Sequence, residues 1–256
     1  MAEPSVLIER PFPGVARIRL AQPERMNVID LRMRDDLLAA VQTVLNNPEV
    51  RAIILTGEGG NFSAGGDIEW MRRMAPSAFR AYHRDTIAIA RLLATADKPT
   101  IAAIEGVCIG GGAGFALCCD YVLMAQGARF GMPFLRIGLV PDMGSFHLLA
   151  RRLGLQGARR FIFDGAILGA AEAARQGLAD HVHADDAVQD EAEALALRLA
   201  AMPRLALAQT KWLMGRAEVN FSSFLEDELQ AQAPCLGGSE FLEGCTAFLE
   251  KRPPKY

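Results

Sequence analysis

The chain is 256 residues long, 51% hydrophobic and 22% charged, with a formal net charge of −3. That composition affords a substantial core, argues against disorder, and offers no basic footprint for nucleic acid. The five cysteines, at 108, 118, 119, 235 and 245, include no CxxC pair and sit mostly in apolar sequence, so they read as reduced, buried thiols.

The opening "MAEPSVLIERPFPG" shows no apolar signal region, and the uncharged stretch 106–119 is too short for a bilayer, which takes about 20 residues. A soluble, cytoplasmic protein is expected. "VARIRL" (15–20) alternates with period two and predicts a strand. A helix is expected over 30–47, where Leu31, Leu38, Val41 and Leu45 recur at helical spacing behind Asp30 as a candidate N-cap. Buried strands are expected at 50–57, 99–109 and 120–125, with helices at 79–95 and 145–153. Strand-then-helix order of this kind implies an α/β architecture. After about residue 190 only helical periodicity remains. Pro203 suits a first helical position there, and Ser223 with Glu226 a capping box. The apolar faces of this tail must be buried against the chain's own core or a partner subunit.

Two glycine loops follow strands and lead into helical sequence: "NFSAGGDIEWM" (61–71) and the triple glycine of "IEGVCIGGGAGFALCCD" (104–120). Neither fits GxGxxG, and no GxxxxGK[ST], GxSxG or HExxH occurs. Taken alone, the triple glycine could be a tight strand-to-helix turn. As a pair, the loops could each aim a backbone N–H into one cleft, which is what an oxyanion hole requires, with a helix N-terminus behind one of them.

"FSAGGDI", then "KPTIAAIEGVCIGGGAGFALCCDYVLMAQGARFGMPFLRIGLVPDMGS", then "FLEKRPPK" together resemble the crotonase family, also called the enoyl-CoA hydratase/isomerase superfamily. The resemblance runs from about residue 6 to residue 255. It implies a crotonase-like spiral of ββα units over 1–190, holding the acyl-CoA site, and a helical trimerisation region over 191–256. It further implies a homotrimer, or a hexamer made of two trimers, acting on an acyl-CoA thioester. No separate cofactor is implied, because CoA is part of the substrate; no metal, nucleic acid or membrane partner is expected. By the family pattern, the N–H groups of Gly66 and Gly111 would hold the thioester oxygen. Arg25 would lie near the CoA phosphates, the backbone of Ala64, Asp67 and Ile68 around the adenine, and Lys251 within reach of a neighbouring subunit's CoA. A solvated role is equally open to Lys251 and its basic tail.

Which reaction follows depends on the base. Hydratases of the family place one glutamate just after the triple glycine and another after the "FGxP" turn; here those positions are Gly114 and Phe134. A mechanism in which two carboxylates share a water is therefore in doubt. Asp142, in "GLVPDMGS", stands where isomerases of the family carry a single catalytic acid. The expectation is a Δ3-to-Δ2 double-bond isomerase with Asp142 as base, unless Asp142 merely caps the helix near Ser145. Hydratase, ring-type acyl-CoA isomerase and catalytically silent acyl-CoA binder are the alternatives. Of the remaining candidates, Glu69 reads as solvent-facing, Glu105 as a structural hydrogen-bond partner and His147 as packed or capping. His181 and His183 would share one face of a strand without marking a metal site, and Phe79, Phe115, Phe134 and Leu139 could line the acyl pocket.

Overall fold

The computed structural model describes residues 3–256. Strands β1 (Val6–Phe12) and β2 (Val15–Leu20) form an antiparallel hairpin. Helix α1 (Leu31–Asn46) leads to β3 (Ala52–Gly57), which lies parallel to β2. Asp30 caps α1 as expected, its carboxylate accepting from the Met33 N–H at 2.9 Å. A short α2 (Ile68–Arg72) and a long α3 (Pro76–Ala94) then carry the chain to β4 (Thr100–Ile104).

The strand expected over 99–109 is broken. Gly106 takes φ +48°, where a side chain would meet the Gly60 carbonyl, and the chain restarts as β5 (Val107–Ile109) in a second sheet. Glu105 and Gly106 interrupt the apolar run at this point, but a lone glycine inside a strand pattern reads as readily as a bulge as a change of sheet. The break positions the second glycine loop. Helix α4 (Gly111–Leu117), β6 (Tyr121–Ala125) and β7 (Arg129–Gly131) follow. Helix α5 (Ser145–Asp164) loses helical geometry at Gly154, where the expected 145–153 helix ends, and then resumes for ten more residues. Strand β8 (Ile167–Gly169), α6 (Ala170–Gln176) and β9 (His181–His183) close the alternating part.

Among the described residues the strands form one sheet in the order β1-β2-β3-β4-β6-β9, parallel from β2 onward, and a second in the order β5-β7-β8. Strands β3 and β4 are buried along their whole length, as continuous Ile/Leu/Ala runs in a parallel sheet should be. Lys98, only 1% exposed, ties α1 to this sheet. Its Nζ donates to the carbonyls of Val44, Leu45 and Asn47 at 2.9, 2.7 and 2.8 Å, satisfying orphan acceptors at the helix C-terminus. Lys98→Met keeps the stem and removes all three donors. It is expected to cost about 1.5–3 kcal/mol of stability, read as a lower urea midpoint.

Helices α7 (Val188–Ala200), α8 (Arg204–Gly215), α9 (Phe221–Leu236) and α10 (Ser239–Glu250) form the strandless tail. The division expected at 190/191 falls inside α7, whose Val188, Ala192, Leu195, Ala196 and Leu199 belong to the core. Two cap expectations need correction. Pro203 is the N-cap of α8, one residue before the first helical position. Helix α9 is capped by Asn220, which accepts from the Ser223 N–H at 3.0 Å, so Ser223 lies inside the helix and forms no capping box with Glu226. Asn ranks with Ser as an N-cap, and the earlier of two good caps prevails here. Phe221, Phe248 and Leu249 of the tail are 75–82% exposed, so the chain's own core does not cover these faces.

Candidate active site

The two glycine loops are stitched side by side. The Ser63 N–H donates to the Val107 carbonyl at 2.8 Å, and the Ile109 N–H to the Ser63 carbonyl at 2.9 Å. The Ser63 hydroxyl donates to the Asn27 carbonyl and accepts from the Gly65 N–H, fixing the turn of the first loop. Gly65 sits at φ +87°, and a methyl group there would lie 2.7 Å from the Ile109 carbonyl oxygen and 3.1 Å from the Gly111 nitrogen. Glycine is required on both counts.

This register frees two donors. Gly66 bridges to Ile29 in parallel fashion, with Ile29 bonding Gly65 and Asp67 on either side, so the Gly66 N–H points away from that bridge. Gly111 opens α4, where first-turn N–H groups have no intrahelical acceptor. A methyl group on Gly111 would come within 3.8 Å of the Gly66 nitrogen, and both glycines line one cavity of about 240 Å³. The arrangement can hold an oxyanion between two N–H groups.

Asp142 lines the same cavity. Its backbone carbonyl, not its carboxylate, receives the Ser145 N–H at 2.9 Å and the Ser145 hydroxyl at 2.5 Å. The helix cap is Gly144, so the capping role weighed for the Asp142 side chain is not the one it plays. Its Oδ1 is sealed from solvent without a hydrogen-bond partner, while Oδ2 lies 3.8 Å from His83 Nδ1. Burial raises the Asp142 pKa above the ordinary value of 3.8, and the neighbouring His83 partly offsets that rise.

The two glutamate positions are not merely empty of carboxylate. A side chain on Gly114 would begin 2.4 Å from Met143 Cε and 3.2 Å from Ser145 Oγ, so that space is already filled. Phe134 is 8% exposed and forms part of the cavity wall. Phe79 and Leu139 line it too, whereas Phe115 is fully buried in the core and does not. Packing of α4 against the sheet takes Phe115 inward; an apolar run alone does not say which face meets a pocket.

Ala64 and Ile68 line the cavity, while Arg25, Asp67 and Lys251 stand outside its lining. Arg25 spans two helix caps, donating to Asp30 at 3.1 Å and to Asp67 at 2.7 Å. The hydrogen bond to Asp67 raises the guanidinium's pKa; the Trp70 N–H and Arg25 together lower that of Asp67. Arg25 remains 44% exposed, so one face is open to an anion. Lys251 is the exposed left-handed cap of α10. Glu69 is exposed, and Glu105 accepts from Gln189 at 2.6 Å. His147 is neither packed nor capping: its side chain is 61% exposed, 4.0 Å from Glu218. His181 and His183 do share a face, with ring centroids 6.0 Å apart.

His83 and Tyr82 are further residues of the cavity wall, beyond those expected from the sequence. Their signal was present, since Phe79, Tyr82, His83 and Thr86 recur at helical spacing on α3 and all face the cavity. No helix among the described residues is long and apolar enough to cross a membrane.

The enoyl-CoA hydratase/isomerase family profile matches residues 12–256. A protein of Mycobacterium tuberculosis named "Probable enoyl-CoA hydratase echA8" is 33% identical over 258 residues, covering 100% of this chain and 99% of that one. The 1,2-epoxyphenylacetyl-CoA isomerase of Escherichia coli is 34% identical over 248 residues, covering 95% of each. The crystal structure of an enoyl-CoA hydratase from Bacillus anthracis superposes with a TM-score of 0.94 at 27% identity, covering 98% of both chains.

Proposed function

The chain belongs to the enoyl-CoA hydratase/isomerase family and has its fold, and from that premise we propose that it shifts a double bond in an acyl-CoA thioester from Δ3 to Δ2. The observation carrying this reading is that Asp142 is the one carboxylate among the described residues lining the cavity beside Gly66 and Gly111. One base is enough for a double-bond shift, whereas hydration must also activate water.

The thioester oxygen sits between the Gly66 and Gly111 N–H groups. Asp142 takes a proton from C2. The electron pair of that C–H bond moves into the C1–C2 bond, and the carbonyl π electrons move onto oxygen, giving a dienolate. The same carboxyl group returns the proton at C4, the C2–C3 double bond forms, and the carbonyl is restored. Each N–H donor contributes about 10²–10³ in rate, and a positioned base about 10²–10⁴. A raised Asp142 pKa brings the base closer to the operating pH and improves proton transfer. Arg25 meets the CoA phosphates, the backbone of Ala64, Asp67 and Ile68 surrounds the adenine, and Lys251 serves a neighbouring subunit. The exposed apolar faces of α9 and α10 fit burial in a trimer or a hexamer of two trimers.

Hydration is the second reading, favoured by the names of several relatives. The two are separated by offering purified protein trans-3-hexenoyl-CoA and crotonyl-CoA side by side. Formation of the conjugated 2-enoyl thioester from the first, with little water addition to the second, is the expected result. Fast hydration of crotonyl-CoA without isomerisation would replace this proposal. Binding of both thioesters with neither reaction would leave a ring-bearing substrate or a silent binder.

A further inference from the structure

The cavity holds one imidazole, that of His83, and it faces the carboxylate on which the reaction depends. The ring stacks on Phe79 one helical turn earlier, with centroids 5.4 Å apart and planes 12° apart, which fixes its orientation. Its Nδ1 lies 3.8 Å from Asp142 Oδ2, and both side chains are only about a quarter exposed, at 22% and 25%. Besides His83, only its own backbone N–H favours the charged form of Asp142. Oδ1 has no partner, and Ser145 spends its donors on the backbone carbonyl. A carboxylate among Phe79, Phe134, Leu139 and Met143 needs a donor or a positive charge to stay ionised.

We infer that His83 is a positioning residue for Asp142: seated on Phe79, it presents Nδ1 to Oδ2 at 3.8 Å and, as the neighbouring polar or positive group, holds the carboxylate aimed at C2 of the bound thioester. The other groups facing the pair are few. Tyr82 comes from α3, its phenol pushed up to about 12 chiefly by burial, and Arg136 from the turn at 134–137. Helix α2, the two glycine loops and Met143 contribute uncharged lining. His83 is thus the nearest group able to set the charge on Asp142. The inference rests on Asp142 being the base, but its deciding arm, the titration of the free protein, needs no substrate, so either can fail alone.

The test is an NMR titration of the free protein labelled with carbon-13 at the aspartate carboxyls. The Asp142 signal is assigned by its loss in Asp142→Asn. In His83→Leu the Asp142 carboxyl is expected to keep its proton to a higher pH, by about tenfold in acidity or more. His83→Asn, whose amide nitrogen can stand near the place of Nδ1, should recover part of that difference. Turnover of a 3-enoyl-CoA should follow the same order, with the acid limb of kcat/KM displaced upward in the Leu variant and activity recovering at high pH. An Asp142 titration unchanged in His83→Leu overturns the inference, whatever the turnover. If Leu lowers the melting temperature, His83→Asn read against His83→Ala gives the same comparison.

Discussion

Asp142→Asn is expected to lower turnover of trans-3-hexenoyl-CoA by about 10²-fold or more, because it removes the proposed base and preserves the shape. The same substitution should not destabilise the protein at neutral pH. Burial raises the folded-state pKa of Asp142 above its ordinary value of 3.8, so the folded chain binds this proton more tightly than the unfolded chain does. Its contribution to stability is most favourable below that ordinary value and is lost as pH rises through the raised one. An amide at this position carries no charge to desolvate and lacks that decline. Urea unfolding between pH 4 and pH 8 should therefore show wild type losing stability, relative to the variant, as pH increases. A variant that is inactive yet at least as stable as wild type at pH 7 is the signature of a catalytic group held at a cost to the fold. If the variant were inactive because it unfolds, Asp142 would be a structural residue.

Gly65→Ala is expected to have an effect of similar size for a different reason. Its left-handed φ of +87° costs a non-glycine residue about 1–3 kcal/mol. The new methyl would also lie 2.7 Å from the Ile109 carbonyl oxygen, which is backbone and cannot turn aside. The loops must separate, and the Gly66 and Gly111 N–H groups then no longer meet one oxygen. Loss of about 10²–10³ in kcat is expected, with a lower melting temperature. Gly60, also at positive φ but with open space around it, is the control. Gly60→Ala should lower stability through φ alone and leave kcat near wild type.

Much of this site was legible in the sequence, and what escaped did so for physical reasons. The alternating strands, the Asp30 cap and the two glycine loops follow from local patterns that tertiary packing reinforces. Asp142 could be picked out because the family resemblance places a single catalytic acid at this point of an apolar, glycine-flanked loop, with helix capping as its structural alternative. The 99–109 run was not divided, because Glu105–Gly106 between two apolar segments reads as readily as a bulge within one strand as a change of sheet. Phe115 and Phe134 look alike as letters, yet one fills the core and the other walls the cavity. His83 lies 59 positions before Asp142, and only the packing of α3 over the cavity brings the two together.

In the proposed mechanism Asp142 removes a C2 proton from a thioester held at Gly66 and Gly111. Phenylacetyl-CoA in deuterated water isolates that step, since it has acidic C2 protons and no double bond to relocate. Followed by proton NMR, wild type should exchange the C2 protons for deuterium, and Asp142→Asn should do so about 10²-fold more slowly or not at all. Bound phenylacetyl-CoA that never exchanges, or exchange undiminished in the Asn variant, would rule Asp142 out as the base.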